Sequence, residues 1–86
     1  MRDMFFKKME SAFPEEMQDA RKYFEMAKQA DEAGEEDLAE GFMEMAHDEY
    51  THAQFIYNEM VEEHHPIGDA HKKMWEELDA MMGNLF

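Results

Sequence analysis

The stretch MAHDEYTHAQFIYNEM, residues 45–60, carries an apolar residue at every third or fourth position, which is the spacing of an amphipathic helix. Two polar residues, Glu49 and His52, fall close to or inside that apolar stripe. With Leu38 at zero and about 100° per residue, the stripe runs from about −20° to about +100°, Glu49 lies at about +20° and His52 at about −40°. The helix therefore turns a carboxylate and an imidazole towards its packed side.

The same Glu-x-x-His spacing occurs twice more in this helix, as Glu44/His47 and as Glu62/His65. On the same wheel both glutamates lie near about −120° and both histidines near about 180°, so these two pairs are predicted to point to solvent. The spacing alone therefore has little specificity. Position around the helix singles out Glu49 and His52.

The composition predicts one small all-α domain. The chain has 86 residues, with eleven methionines, four glycines and two prolines, and valine and isoleucine are scarce. It has no cysteine, which excludes disulfides, thiolate metal sites and cysteine nucleophiles. The net charge of −14 disfavours nucleic acid and favours cations as partners. No stretch approaches the length of a membrane span or reads as a secretory signal, so we expect a cytoplasmic protein without a membrane partner.

Three segments are predicted along the chain. Residues 1–13 are an N-terminal arm or short helix, residues 14–64 form an antiparallel two-helix hairpin, and residues 65–86 contain a short C-terminal helix. The boundary signals are Pro14, Gly34, Pro66 and Gly68. The apolar stripes of the two long helices are wider than one hairpin can bury, so the sequence predicts a four-helix bundle made from two chains.

Glu16 is the inward acid of the first long helix. It precedes Gly34 by 18 residues and Glu49 follows Gly34 by 15, so at about 1.5 Å per residue the two lie at similar heights on antiparallel helices. A buried carboxylate needs a cation, a proton or hydrogen-bond donors, and the chain has no lysine or arginine between Ala33 and His71. A metal ion is the remaining strong counter-charge.

Simpler interpretations stay open for individual residues. Glu16 alone fits a surface acid that stabilises a helix start, and His52 alone fits a hydrogen-bonded core histidine. His64, His65 and His71 lie around Pro66 and offer metal ligands, but their positions are more typical of an exposed turn.

The block AHDEYTHA, residues 46–53, resembles the A-x-x-E-x-x-H-A segment of ferritin-like di-iron proteins, especially rubrerythrins and the small encapsulated ferritins. The upstream EEMQDARKYFEMAKQADEAG, residues 15–34, looks like the matching first helix and glycine turn. The resemblance covers roughly residues 14–62. This chain departs from full-length relatives in carrying one hairpin rather than two and in lacking cysteines for a rubredoxin domain, and in both respects it resembles the encapsulated ferritins.

The resemblance implies a role for each inward residue. Glu16 would be the ligand from the first helix, Glu49 the bridging carboxylate and His52 the histidine ligand, with Asp19 or Glu15 as alternatives to Glu16. Two copies of the chain would then supply four carboxylates, which balance two divalent cations. Ligands of this kind suit iron, and manganese or zinc as well.

The favoured hypothesis is a ferroxidase-type protein that oxidises Fe²⁺ with O₂ or peroxide at a di-iron centre shared by two chains, for iron storage or detoxification. The resemblance further implies a ferritin-like bundle by dimerisation, higher homo-oligomers, and residence in an encapsulin-type shell, a protein nanocompartment. Two alternatives are a divalent-metal-binding module without turnover and a helical protein-interaction module. In the last of these, Glu49 and His52 would only hydrogen-bond each other.

Overall fold

A computed structural model describes residues 2–86, and within them the chain forms three α-helices and no strand. Helix α1 spans Arg2–Glu32, α2 spans Glu36–Glu62 and α3 spans Asp69–Met82. The prediction of an all-α fold is confirmed. In residues 2–86 no helix combines the length and the apolar character that crossing a bilayer requires.

The turn between α1 and α2 is built around Gly34, as its sequence predicts. Gly34 has φ +79°, a left-handed conformation that costs glycine little. Its N–H donates to the carbonyl of Asp31 at 3.1 Å, and the N–H of Glu35 donates to the carbonyl of Ala30 at 2.8 Å. These two bonds satisfy the last carbonyls of α1 and reverse the chain, so that α2 returns along α1.

The start of the first helix differs from the prediction. The sequence signals place it near Pro14, whereas α1 begins at Arg2 and runs through Pro14 without interruption. Proline inside a helix lacks the N–H that would bond back to Glu10, a cost of about 3 kcal/mol. The core buries Phe6 and Phe13 before the proline and Met17 after it, so tertiary packing outweighs the local penalty.

Helix α3 covers one face of the hairpin. Its Trp75 stacks on Tyr50 and Tyr57 of α2, at ring-centroid distances of 5.5 and 5.2 Å. Leu78 and Met82, one and two turns further on, are also buried. The core therefore lies between α3 and one side of the hairpin, with small residues where α1 and α2 approach each other: Ala20, Ala27, Ala46 and Ala53.

The opposite side of the hairpin carries apolar residues that nothing covers. Leu38 is 54% exposed and Met45 is 41% exposed, although both belong to the apolar stripe that the sequence predicts for α2. Tyr23 of α1 is partly buried and lies two turns after Glu16, on the same side of that helix. We call this side, defined by Tyr23, Leu38, Met45 and the polar residues between them, the open face.

Candidate metal centre

Glu16, Glu49 and His52 meet near the middle of the hairpin. Glu49 is the central residue of α2, and Glu16 lies one residue from the centre of α1. His52 follows Glu49 by three residues and so lies on the same side of α2, almost one turn away. The match in height between Glu16 and Glu49, predicted from their distances to Gly34, is confirmed by the contacts they share.

The three side chains present their ligand atoms to one another. Nδ1 of His52 lies 3.3 Å from Oε2 of Glu16 and 3.8 Å from Oε1 of Glu49. One ligand atom from each residue falls within 4.8 Å of the others. Among residues 2–86 this is the one group of three or more acidic or histidine side chains brought that close.

The centre lies at the surface of the single chain. The side chains of Glu16 and Glu49 are 27% and 23% exposed, and that of His52 is 57% exposed. The sequence predicts that all three face the packed side. For His52 this is wrong, because more than half of its side chain is exposed. One side of the centre therefore rests on the hairpin, and the other opens onto the open face.

The electrostatics of the centre are those of crowded carboxylates. Hydrogen bonding to Glu16, partial burial and the negative charge of Glu16 raise the pKa of Glu49 to about 7, from an ordinary value of 4.5. Asp19 adds a smaller repulsion, and His52 opposes the rise. A carboxyl group that holds its proton near neutral pH lacks sufficient positive charge around it, and a bound cation would supply that charge.

The alternatives to Glu16 lie further from the centre. Asp19 is half-buried on the open face, with its Oδ1 3.7 Å from Nζ of Lys22. Glu15 is exposed. Of the three acids considered for the first helix, Glu16 is the one whose ligand atom joins those of Glu49 and His52.

The two other Glu-x-x-His pairs do not form comparable groups. Glu44 and Glu62 are exposed, as predicted. His47 stacks on Phe86, with ring centroids 4.3 Å apart. The prediction that His65 points to solvent is wrong, because the extended start of α1 reaches it.

The three histidines around Pro66 do not form one group, and each has a different structural environment. His64 takes a left-handed conformation, φ 55°, at the end of α2. His65 stacks on Phe6, with ring centroids 5.1 Å apart, and contacts the Glu10 carboxylate. His71 meets the edge of the Phe13 ring, with centroids 6.5 Å apart. The sequence did not place α1 beside this turn, because Pro14 suggested that the helix began later.

Tyr50 points the other way from Glu49, although the two are neighbours in sequence. Its hydroxyl donates to Oδ1 of Asp79 in α3 at 2.5 Å. Burial and this hydrogen bond raise the pKa of Tyr50 to about 12. The hydroxyl of Tyr50 therefore joins α2 to α3 and is not directed to the candidate metal centre.

The rubrerythrin family model matches residues 7–82, which is most of the chain and includes all three helices in large part. The chain belongs to the rubrerythrin family. This is a ferritin-like di-iron family whose members typically bind iron, and the resemblance noted in residues 46–53 is thereby confirmed. Searches among curated proteins and among solved structures gave no match.

The donor set of this rubrerythrin-family chain fits iron. Two carboxylates and one imidazole, with no thiolate, are ligands that Fe²⁺ accepts, and Mn²⁺ and Zn²⁺ accept them too. The placement of a Glu and a Glu-x-x-His pair on facing helices follows the pattern of di-iron carboxylate bundles. One hairpin supplies half of the ligands that such a centre uses.

Proposed function

We propose that this rubrerythrin-family protein is a ferroxidase: it binds Fe²⁺ as a pair between two copies of the chain and oxidises it with O₂ or peroxide. The observation that carries the proposal is the convergence of Glu16, Glu49 and His52 within 4.8 Å on an uncovered face. A lone glutamate or histidine has many structural roles. Three ligands that meet at the middle of the hairpin, in a family that binds iron, favour a metal centre.

The charge around these ligands supports binding of a cation rather than an internal salt bridge. Among residues 2–86, no lysine or arginine lies within 4.0 Å of the carboxylate oxygens of Glu16 or Glu49. The amine of Lys22, six residues after Glu16 in α1, lies 3.7 Å from Oδ1 of Asp19. Fe²⁺ would therefore replace the proton that Glu49 retains, and binding would release that proton.

The substrate supplies the electrons for the reaction. Two Fe²⁺ ions give one electron each, and one O₂ takes both electrons and two protons to leave as hydrogen peroxide. In this reaction the protein holds two ions next to each other, which removes the cost of bringing them together in solution. The resemblance assigns Glu49 to the position shared between the ions, with Glu16 and His52 at the outer positions. The net charge of −14 draws Fe²⁺ towards the protein.

A second copy of the chain would complete the centre. Because Glu49 is at the middle of α2 and Glu16 is next to the middle of α1, a two-fold axis through the centre would lay two hairpins over each other along their full length. The exposed Leu38 and Met45 would be buried in the same contact. Since α3 already covers the other side of the hairpin, the open face is the side available for this pairing.

Anaerobic titration of the metal-free protein with Fe²⁺, followed by exposure to air, tests the proposal. A pair of ions shared by two chains gives saturation at about one iron per chain, and ferric absorbance should then develop faster than in buffer. Glu49→Gln should abolish both the saturable binding of Fe²⁺ and its accelerated oxidation. The matched control is Glu44→Gln, which changes an exposed glutamate of the same Glu-x-x-His spacing on the same helix and should leave both unchanged.

Each other outcome has a defined meaning. Equal binding by the wild type and Glu49→Gln would overturn the assignment of the centre. Tight binding with no acceleration of oxidation would overturn the ferroxidase activity and leave a metal-binding module.

The dimer is tested separately by sedimentation with and without Fe²⁺. Metal-free chains bring four carboxylates together on pairing, so added Fe²⁺ should shift the population towards dimer. Leu38→Glu, on the open face, should weaken assembly, whereas Val61→Glu, at an apolar residue of similar exposure elsewhere on α2, should not. A monomer that binds iron with full stoichiometry would contradict the shared centre.

A further inference from the structure

Three aromatic side chains, two from α2 and one from α3, form a continuous column between these helices. The rings of Tyr50 and Trp75 are 5.5 Å apart between centroids with an interplanar angle of 19°, and those of Trp75 and Tyr57 are 5.2 Å apart at 23°. We call Tyr50, Trp75 and Tyr57 the aromatic column. Tyr50 and Trp75 are buried, and Tyr57 is partly exposed. The column thus joins the interior of the chain to its surface through tyrosine and tryptophan, whose rings are readily oxidised by one electron.

One end of the column carries a proton acceptor. The hydroxyl of Tyr50 donates to Oδ1 of Asp79 at 2.5 Å, across the contact between α2 and α3. Gly83 makes room for this pair, because a Cβ there would lie 2.8 Å from Oδ1 of Asp79 and 3.3 Å from the Tyr50 oxygen. Packing alone would be satisfied by phenylalanine at position 50. The hydroxyl and the carboxylate add a base within hydrogen-bond reach of the phenolic proton.

We propose that Tyr50 and Asp79 are a redox-active pair, to which Trp75 and Tyr57 relay one-electron oxidising equivalents. The oxidant takes one electron from Tyr57 at the partly exposed end of the column, and Trp75 then returns one electron to Tyr57 and is itself left oxidised. Tyr50 then returns one electron to the oxidised ring and passes its phenolic proton to Asp79. The net change is a neutral Tyr50 radical, a protonated Asp79 carboxyl and a reduced oxidant, with Trp75 and Tyr57 restored.

The biological source of the oxidant rests on the proposed function. Fe²⁺ and hydrogen peroxide together yield hydroxyl radical, a one-electron oxidant that the column would reduce to hydroxide. Tyr50 and Glu49 are consecutive residues and point about 100° apart on α2. The radical held on Tyr50 therefore lies on the α3 side of the hairpin, away from Glu16 and His52, whose oxidation would destroy the metal centre.

Photo-oxidation of the metal-free protein tests the pair without iron. A photo-excited ruthenium tris-bipyridine complex with a sacrificial electron acceptor supplies the one-electron oxidant, and rapidly frozen samples are examined by electron paramagnetic resonance. The wild type should give a neutral tyrosyl radical. Tyr50→Phe should remove most of that signal and leave a tryptophanyl radical on Trp75, and Asp79→Asn should lower the tyrosyl yield severalfold by removing the proton acceptor.

The matched control is Tyr23→Phe, since Tyr23 lies on α1 outside the column and should not change the signal. Trp75→Phe gives a second test that keeps an aromatic ring in place, and it should slow formation of the Tyr50 radical. Far-ultraviolet circular dichroism confirms that each variant is folded. A tyrosyl signal that survives Tyr50→Phe, or one that is indifferent to Asp79→Asn in a folded variant, would overturn the proposal.

Failure of the pair and failure of the ferroxidase are distinguishable. The photo-oxidation requires no iron, so it can succeed in a protein that does not oxidise Fe²⁺. Conversely, Glu49→Gln should abolish iron oxidation and leave the photochemical Tyr50 radical intact. Loss of that radical in Glu49→Gln would overturn the separation of the pair from the metal centre.

Discussion

Both faces of the helical hairpin carry apolar residues, but α3 covers those on one face and leaves those on the other exposed. On one face α3 buries Trp75, Leu78 and Met82 to exposures of 6% or less. On the open face Leu38 and Met45 keep 54% and 41% of their surface in solvent. The candidate metal ligands lie on that open face. The covered side provides stability, and the uncovered side is where the proposed ions and second chain would bind.

The hydrogen-bonding pattern follows the same division. On the covered face the Tyr50 hydroxyl has a direct partner in Asp79. On the open face two carboxyl groups and one imidazole face one another, and their crowding raises the pKa of Glu49 to about 7. The polar contact on the covered face joins two helices, whereas the polar groups on the open face are close enough together to ligate a cation.

Removing Trp75 should have the largest effect on stability. Trp75→Ala leaves a cavity between Tyr50 and Tyr57 and should lower the free energy of unfolding by about 3–5 kcal/mol. Met45→Ala on the open face should change it by about 0.5 kcal/mol or less. Urea unfolding followed by far-ultraviolet circular dichroism, in metal-free buffer at low protein concentration, compares the two. Equal losses would show that the open face is as well packed as the covered one.

Removing the Tyr50 hydroxyl should have a moderate effect. Tyr50→Phe keeps the ring in the column and loses one hydrogen bond, and because Asp79 is exposed, water can replace it. We expect a loss of about 1 kcal/mol in the same unfolding experiment. Tyr23→Phe, on the open face, should be close to neutral. A larger loss in Tyr23→Phe would reverse the expected ranking of the two faces.

A separate effect concerns pH and the metal-free centre. Because the pKa of Glu49 is about 7 in the folded chain and near 4.5 when unfolded, the folded state binds more protons between these values. Its contribution to stability is therefore complete below about pH 4.5 and is lost as pH rises to about 7. Glu49→Gln cannot lose a proton, so it should remove that part of the pH dependence.

Unfolding of the wild type, Glu49→Gln and the control Glu44→Gln at pH 5 and pH 8, with a chelator present, checks the sign. The wild type and Glu44→Gln should lose stability over this interval relative to Glu49→Gln. Parallel pH profiles for all three proteins would mean that Glu49 ionises normally. Saturating Fe²⁺ should reverse the trend in the wild type, since binding requires the deprotonated carboxylates.

Much of the fold follows from local signals in the sequence. The Gly34 turn, the second helix with its apolar stripe and the C-terminal helix were all predicted, because helix periodicity and turn residues act over a few neighbours. The start of α1 was not predicted. Pro14 is a strong local signal, but the burial of Phe6 and Phe13 is a long-range effect that a proline rule does not include.

The candidate site was predictable for the same reason. Glu49 and His52 were identified from their position on the helical wheel, and Glu16 from its distance to the turn, since regular helices convert sequence separation into height and angle. The assignment of these residues as iron ligands stays a prediction. The partners of His65 and Tyr50 could not be predicted, because they lie on helices far away in the chain.

The sequence by itself determined the helical hairpin, the family and the three residues that meet at its centre. These depend on periodicity, a glycine turn and a short motif, all of which are local. The tertiary structure alone decided which face α3 covers, and therefore which face stays open around Glu16, Glu49 and His52. That choice depends on the fit of Trp75 between Tyr50 and Tyr57, and the packing of distant side chains is not encoded in any single stretch of sequence.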